Sequence, residues 1–485
     1  MLFFLSALLP HPASADEGAT HLSATIGPRT AFVQLFEWPW DDVARECETV
    51  LGPGGFSAVQ VSPPQEHLDW PGSPWWARYQ PISYKLESRS GDAKQFADMV
   101  NRCKKVGVDV YADAVINHMA GMSSGSGSAG SAFHHKSYPG LYSANDFHSC
   151  GRNGNDDILN FQDPWEVQNC ELLNLADLKT GTLEVQDRIS EYLNRLLRLG
   201  VSGLRIDAAK HIPANDLKAV YQRLKKPAYI YHELILGYQE PIPYSDYLAL
   251  GDVSDYPYPF IVSEAFYRQD FTRLLGLGHG TIPTTEAVVF LTNHDIEREK
   301  RPYLLSRHQN SELYRLANTF MLAWPYGYPQ LYSGYKFQSF DDGPPLDANK
   351  RTLPILKPNG DCAAPWTCEH REPAVLRMVD FRNRTSHRFF ASHLWTNGKD
   401  QIAFGRGDAG FVVINASPDQ TLNRKLYHGL RDGSYCNILA ADYDAQAGTC
   451  AVPTVVSQGQ VQLQIPPLSA FVLLSRDLGE KGKNR

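Results

Sequence analysis

Gly203-Leu204-Arg205-Ile206-Asp207-Ala208-Ala209-Lys210-His211 is the stretch on which the reading of this chain turns. Small and branched residues from Gly200 to Ile206 predict a buried strand, and the strand ends on a carboxylate. Side chains alternate along a strand, so Arg205 and Asp207 share a face. Neither charge is tolerated in an interior unless it is paired. By itself the pattern fits a structural ion pair as well as a catalytic one. The other strand ends decide between the two.

Strand-like and helix-like runs alternate from Thr30 to about Phe381. Strands are predicted at 31–36, 57–61, 108–113, 228–233 and 287–291, and helices at 40–51, 93–106, 183–199, 217–224 and 312–322. Repeated β-α units with short apolar strands predict a parallel sheet. Their number, and the lack of a Gly-rich phosphate turn, favour a (β/α)8 TIM barrel over an open doubly wound sheet. The stretch from Met119 to about Leu175 interrupts the alternation and is rich in Gly, Ser, Asn and Asp, which predicts an inserted small domain after the third strand. Beyond about Arg384, short alternating strands at 401–406, 410–415, 461–465 and 470–474 predict a C-terminal antiparallel β-sandwich. The expected division is a signal peptide at 1–15, barrel at 16–118, inserted domain at 119–176, barrel again at 177–385, β-domain at 386–478 and a charged, disordered tail at 479–485.

Composition narrows the function class. The chain has 485 residues, 43% of them hydrophobic and 20% charged, with a net charge of −7. That balance argues against nucleic acid or an anionic membrane as partner. Leu2 to Leu9 is a short apolar run, and Pro12-Ala13-Ser14-Ala15 supplies a cleavage site of the exported type. No segment is long and apolar enough to span a bilayer, so the expectation is a secreted, extracellular monomer. The eight cysteines contain no C-x-x-C motif, which points to structural disulfides rather than zinc or redox use. They allow on the order of a hundred pairings. Sequence neighbours suggest Cys150–Cys170, Cys362–Cys368 and Cys436–Cys450, leaving Cys47–Cys103. Asn383-Arg-Thr385 and Asn415-Ala-Ser417 are N-glycosylation sequons.

Four predicted strand ends carry polar clusters. The third ends in Asp113, followed by Asn117-His118. The fourth ends in Arg205 and Asp207, the fifth in His232-Glu233, and the seventh runs into Asn293-His294-Asp295. Catalytic groups of such barrels come from the C-terminal ends of several strands. Three carboxylates at one mouth predict glycoside chemistry, with one nucleophile and one protonated acid. Arg205 is expected to keep Asp207 ionised. Glu233, crowded by Asp207 and Asp295, is expected to hold its proton more tightly than an ordinary carboxyl.

These segments resemble a known family. Asp113-Ala-Val-Ile-Asn-His118, Gly203 to His211, His232-Glu233 and Leu291-Thr-Asn-His-Asp295 look like the four conserved segments of alpha-amylases in glycoside hydrolase family 13. Pro74-Trp-Trp-Ala-Arg-Tyr-Gln-Pro-Ile-Ser-Tyr84 and Ala323-Trp-Pro-Tyr-Gly327 match its animal-type group, which has bacterial members. The resemblance implies endo-hydrolysis of alpha-1,4-glucosidic bonds in starch and malto-oligosaccharides by a retaining double displacement. It implies Asp207 as nucleophile, Glu233 as acid/base and Asp295 as the carboxylate holding the distorted sugar, with Arg205 orienting Asp207. His118 and His294 match sugar-binding histidines, and Asp113 supports them. Trp75, Trp76, Tyr79 and Gln80 match a sugar-binding wall, and Lys210 and His211 the leaving-group side. If Trp75 and Trp76 lay on a strand they could not both face one core, so one of them is expected to be exposed or in a loop. A structural calcium is implied, with Asn117 and Asp177 as side-chain ligands and the carbonyls of His211 and Gln168 as further ones. The alternatives are a maltogenic or transglycosylating relative and a non-catalytic glucan-binding homologue, the latter disfavoured because all three carboxylates and Arg205 are present.

The departures from the family are equally specific. Animal-type members bind chloride with an Arg, an Asn and a basic residue. Arg205 and Asn293 match the first two, but Gln330 stands at the third position, so chloride is not expected as a cofactor. Ile296-Glu-Arg-Glu-Lys-Arg301 replaces the mobile Gly-rich loop, and Glu87 stands where a family cysteine is expected.

Overall fold

Eight strands close into a parallel barrel: Phe32–Leu35, Ala58–Val61, Asp109–Ala114, Gly203–Ile206, Tyr229–His232, Asp252–Ser254, Ala287–Val289 and Tyr328–Ser333, each beside its neighbour, with the first paired to the last. The computed structural model describes residues 28–152, 154–236, 241–279 and 282–475. The signal proposed at 1–15 and the tail at 479–485 lie outside them.

The lumen is filled by a layer of large side chains. Phe32, Tyr111, Tyr229, Tyr231 and Tyr328 pack there with Ala58 and Val288. Their hydroxyls are used: Tyr229 donates to Asp252 at 2.7 Å and Tyr111 bonds Tyr328 at 3.2 Å. This layer explains the glycine that opens the fourth strand. A Cβ on Gly203 would stand 2.4 Å from the Tyr111 ring, closer than atoms can pack.

The sixth and eighth strands were not legible as strands. Asp252–Ser254 is only three residues long, and Tyr328–Ser333 contains Pro329, which ordinarily argues against a central strand. Both are built by barrel closure. The outer helices follow the predicted periodicity, with Ala93–Lys105 opened by a capping box of Asp92 and Gln95. The helix Pro257–Tyr267 went unread.

The third and fourth strands are separated by the inserted segment, which carries a small hairpin of Ser124–Ser126 with Ala132–His134. After the helix Pro373–Thr385, a four-stranded antiparallel sheet and two two-stranded sheets form the C-terminal unit. Gly410–Asn415 is buried along its whole length because both its faces are covered. Phe411 and Val413 face the core of the β-domain, while Val412 and Ile414 join the barrel's core. Arg406 fastens the junction, donating to the carbonyls of Ala323 at 2.7 Å and Thr385 at 2.9 Å.

All eight cysteines pair as the sequence neighbours suggest: Cys47–Cys103, Cys150–Cys170, Cys362–Cys368 and Cys436–Cys450. Both sequon amides are committed to protein carbonyls, Asn383 to Gly55 at 2.8 Å and Asn415 to Ile465 at 3.0 Å. Among the described residues no helix is long and apolar enough to cross a membrane.

Trp75–Tyr79 forms a 3-10 turn rather than a strand. Trp75 is buried and Trp76 half-buried. The turn is anchored from within by Arg78, which donates to Glu37 at 2.8 Å, to the Pro63 carbonyl at 2.7 Å and to Ser88 and Ser90 at 3.0 Å. Both members of the Arg78–Glu37 pair are fully buried. Truncating one partner strands the other's charge, so Arg78→Ala should lower the unfolding free energy by about 3–5 kcal/mol, measured by denaturant titration.

Candidate active site

Strand register builds the site. Asp113, Arg205 and Tyr231 are cross-strand neighbours, as are Ala114, Ile206 and His232. The ladder runs on past the strand ends, with Asp207 N–H donating to Ala114 at 3.1 Å and Glu233 N–H to Ile206 at 2.9 Å. Ala208 then takes a left-handed conformation, φ 48°, which ends the strand abruptly. Its N–H donates to Glu233 Oε2 at 3.0 Å. The strained turn thus serves both carboxyls that the sequence picks out.

One guanidinium gathers three carboxyls. Arg205 donates to Asp113 Oδ1 at 2.6 Å, to Asp207 Oδ1 at 3.0 Å and to Glu233 Oε1. Arg205 was expected to orient Asp207 and keep it ionised; the contact is present, and Arg205 also holds Asp113 and Glu233. Burial lifts Asp207 well above the usual range, the Glu233 charge adds to that, and Arg205 pulls the other way. Burial likewise raises Asp113, and it pushes Asp295 up to about 7 with help from the Glu233 charge. The one guanidinium does not offset the burial of Asp113, Asp207 and Asp295, and all three are raised.

The histidines are neutral. Burial takes His118 and His211 down to about 4 and His294 well below its ordinary value. A relay fixes the His294 tautomer: Gln330 Nε2 donates to Gln34 Oε1 at 3.0 Å, which turns the Gln34 amide nitrogen to His294 Nδ1 at 3.1 Å. Nδ1 is therefore the acceptor, and the proton sits on Nε2, 3.4 Å from Asp295 Oδ2. Tyr79 stacks on this imidazole at 4.8 Å and donates to Asp113 at 3.0 Å.

A cavity of about 560 Å³ joins these groups. Trp75, Trp76, Tyr79, Gln80, His118, Asp207, Lys210, His211, Glu233, His294 and Asp295 all line it, while Asp113 and Arg205 lie buried beneath. His118 meets the Tyr79 carbonyl at 3.0 Å, Gln80 accepts from Gly121 N–H at 3.1 Å, and Lys210 donates to the Ile235 carbonyl at 2.7 Å. A larger cleft of about 960 Å³ runs between the loop at Thr49–Gly55 and the β-domain, but none of these carboxyls lines it.

Several contributors escaped the sequence reading. Phe161, Leu172 and Leu173 reach the cavity from the inserted segment, and Phe340 from the loop after the eighth strand. Leu173 is 83% exposed at φ 54°. An exposed, strained leucine has no local signature. Tyr256 was also missed. Its buried hydroxyl donates to Glu233 Oε1 at 2.9 Å and accepts from Asn293 Nδ2 at 2.9 Å, tying the fifth, sixth and seventh strand ends together.

The residues expected to hold calcium are brought together in two pairs. Leu178 N–H donates to the Asn117 carbonyl at 3.0 Å, which sets Asp177 beside the third strand end. Gln168 donates to the Lys210 carbonyl at 3.3 Å, and His211 Nδ1 meets the Val167 carbonyl at 2.9 Å. Burial lifts Asp177 to about 7, with His148 at 2.6 Å opposing. A buried carboxylate with incomplete compensation, amide oxygens and free-ended loops fits a hard cation. Among the described residues no cluster of three or more His, Cys, Asp or Glu side chains could hold a metal, so such a site would rest on amide and backbone oxygens. The chloride ligand set fits poorly: Gln330 is neutral and engaged with Gln34, Asn293 bonds Tyr256, and Arg205 already holds three carboxyls.

Comparison with known proteins agrees with this architecture. The family description "Alpha amylase, catalytic domain" matches residues 75–234, and "Alpha amylase, C-terminal all-beta domain" matches 395–476. An alpha-amylase of Thermomonospora curvata is 44% identical over 93% of this chain and 74% of its own. One of Tribolium castaneum is 41% identical over 89% of this chain and 90% of its own. Among solved structures, alpha-amylase I of Eisenia fetida superposes with a TM-score of 0.87 at 33% identity, covering 94% of this chain and 99% of the other. A variant of that protein was solved with maltohexaose and superposes equally well, with a TM-score of 0.87.

Tyr256 touches the cluster through one oxygen. Tyr256→Phe should therefore lower kcat roughly tenfold, the effect of one lost hydrogen bond to a charged group, with little change in KM or melting temperature. Steady-state kinetics and a thermal melt check this.

Proposed function

Because the chain belongs to the alpha-amylase family of glycoside hydrolases, we propose that it is an endo-acting, retaining enzyme that cuts alpha-1,4-glucosidic bonds in starch and malto-oligosaccharides. The observation that carries the reading is Arg205, whose two terminal nitrogens hold Asp207 and Glu233 at one mouth. Retaining enzymes hold this pair ~5–5.5 Å apart, and a single guanidinium bonded to both carboxyls favours that close spacing over the wider one of an inverting mechanism.

In the first step Asp207 attacks the anomeric carbon while Glu233 gives its proton to the departing glycosidic oxygen. A glycosyl ester forms on Asp207. Glu233, now a base, takes a proton from water, which attacks the same carbon from the side the leaving group left; the ester bond breaks with its electron pair returning to the Asp207 carboxylate, so configuration is retained. The clustered carboxyls keep a proton available for the acid step. Asp295, with the Nε2 proton of His294 beside it, holds hydroxyls of the distorted sugar. His118, with Asp113 behind it, borders the cleavage subsite. Lys210 and His211 border the leaving-group side, and Trp75, Trp76, Tyr79 and Gln80 form the opposite wall.

Calcium held by Asn117, Asp177 and the carbonyls of His211 and Gln168 would supply cross-linking of the inserted segment to the barrel. Since His211 follows Asp207 by four residues, this would steady the Asp207 turn. No role falls to chloride. Four disulfides and the segment at 1–15 support secretion, as a monomer acting on glucans.

Asp207→Asn and Glu233→Gln should each lower kcat on starch by roughly a thousandfold or more while the circular dichroism spectrum is unchanged. Unsubstituted protein should cut starch viscosity before much reducing sugar appears and release alpha-anomers. Hydrolysis by either variant near the unsubstituted rate would defeat the assignment. Chelator should lower the melting temperature, with calcium restoring it, and Asp177→Asn should blunt that response. Replacing chloride by acetate at constant ionic strength should leave kcat within about twofold, a change too small for a lost charge contact.

A further inference from the structure

A second cavity opens beside the first. It measures about 520 Å³ and is lined by Trp70, Pro74, Trp76, Lys336 and Asp341 among others. Trp76 lines both cavities, so they adjoin at its indole. The Trp70 and Trp76 rings stand 6.5 Å apart at 46° to each other, both half-buried. Trp76 Nε1 donates to Asp341 Oδ1 at 2.8 Å, which fixes its ring against the loop after the eighth strand.

The surroundings of Trp70 are rigid. Ser73 N–H closes a turn onto the Trp70 carbonyl at 2.9 Å. Arg89, buried, donates to the carbonyls of Ser73 and Pro74 at 3.0 Å. Asp69 pairs with Lys350 at 2.5 Å. The facing loop comes so close that a Cβ on Gly343 would stand 2.1 Å from the Ser73 carbonyl oxygen. Two loops distant in sequence are thus locked around an open aromatic step. A large aromatic side chain on a pinned, partly open loop is ill explained by packing alone.

We propose that this cleft is an additional glucosyl-binding subsite, in which Trp70 carries a sugar of the chain that leaves the cleavage site past Trp76. The inference rests on the alpha-glucanase reading above. Pyranose rings offer apolar faces and hydroxyl edges. Two inclined indoles supply faces that follow a helical glucan, while Asp341 and Lys336 supply an acceptor and a donor at the rim. A volume of this size lies within the range of small-ligand pockets. Short oligosaccharides end before Trp70 and long ones reach it, so the subsite sorts substrates by length.

The test compares kcat/KM on maltoheptaose and maltotriose. In Trp70→Ala the ratio of the two should fall roughly tenfold, the worth of one lost stacking contact. Trp70→Tyr, which keeps an aromatic face, should hold the ratio within about threefold. A ratio unchanged in Trp70→Ala, or lowered equally in both variants, would overturn the subsite. Failure of the unsubstituted protein to cut either oligosaccharide would instead overturn the glucanase reading, so the two failures are told apart. A melting curve on each variant separates misfolding from lost binding.

Discussion

The bond of Arg205 to three carboxyls is the constraint on which the rest depends. A buried guanidinium is tolerable only when its donors are met, and buried carboxyls only when their charge is opposed. Here each condition satisfies the other, and the barrel supplies the register that makes it possible. Asp113 and Arg205 are cross-strand neighbours, and Glu233 follows the fifth strand by one residue. Gly203 gives Tyr111 room in the lumen, and Ala208 bends the chain so that its N–H meets Glu233. The compensation is incomplete: Asp207, Asp113 and Asp295 all remain above their ordinary range because burial outweighs the one cation. The Arg205 bonds therefore need support from the groups packed around them.

Those surroundings come from all parts of the molecule. Tyr256 and Asn293 support Glu233 from the sixth and seventh strands. Gln330 and Gln34, from the eighth and first, set the His294 tautomer. The same amide that removes a positive charge from the family's chloride position therefore has a task of its own. The inserted segment adds the apolar rim, and the β-domain, seated on the outer helices through Val412 and Ile414, completes burial of the barrel. Arg78 plays the matching part for the aromatic wall of the cavity, since a fully buried ion pair with Glu37 holds the turn that displays Trp75, Trp76 and Tyr79.

Wherever the signal was local, the sequence was readable. The third, fourth, fifth and seventh strands announce themselves by apolar runs that end in charge, and eleven residues marked as catalytic or substrate-facing line one cavity. The sixth and eighth strands were hidden, one by its three-residue length and the other by Pro329, since neither has a period that a window can detect. The wall at Trp75–Tyr79 was assigned its residues but not its 3-10 conformation. Phe161, Leu173, Phe340 and Tyr256 carry no motif; an aromatic in a loop looks the same whether it faces core, solvent or ligand.

The sequence by itself determined the barrel architecture and which carboxyls end its strands, because alternation of elements and charge at strand ends are written in consecutive residues, and the resemblance of those same segments to the alpha-amylases pointed to the family. Tertiary structure alone decided how those charges are shared. That Arg205 reaches Glu233 as well as Asp207, that His294 is neutral with its proton on Nε2, that Tyr256 bridges Asn293 to Glu233, and that Trp70 stands in line with Trp76 are all products of barrel closure and loop contact. The first three depend on groups 23 or more residues apart, and the fourth on a loop that the distant Arg89 holds in place, so no local pattern could encode them.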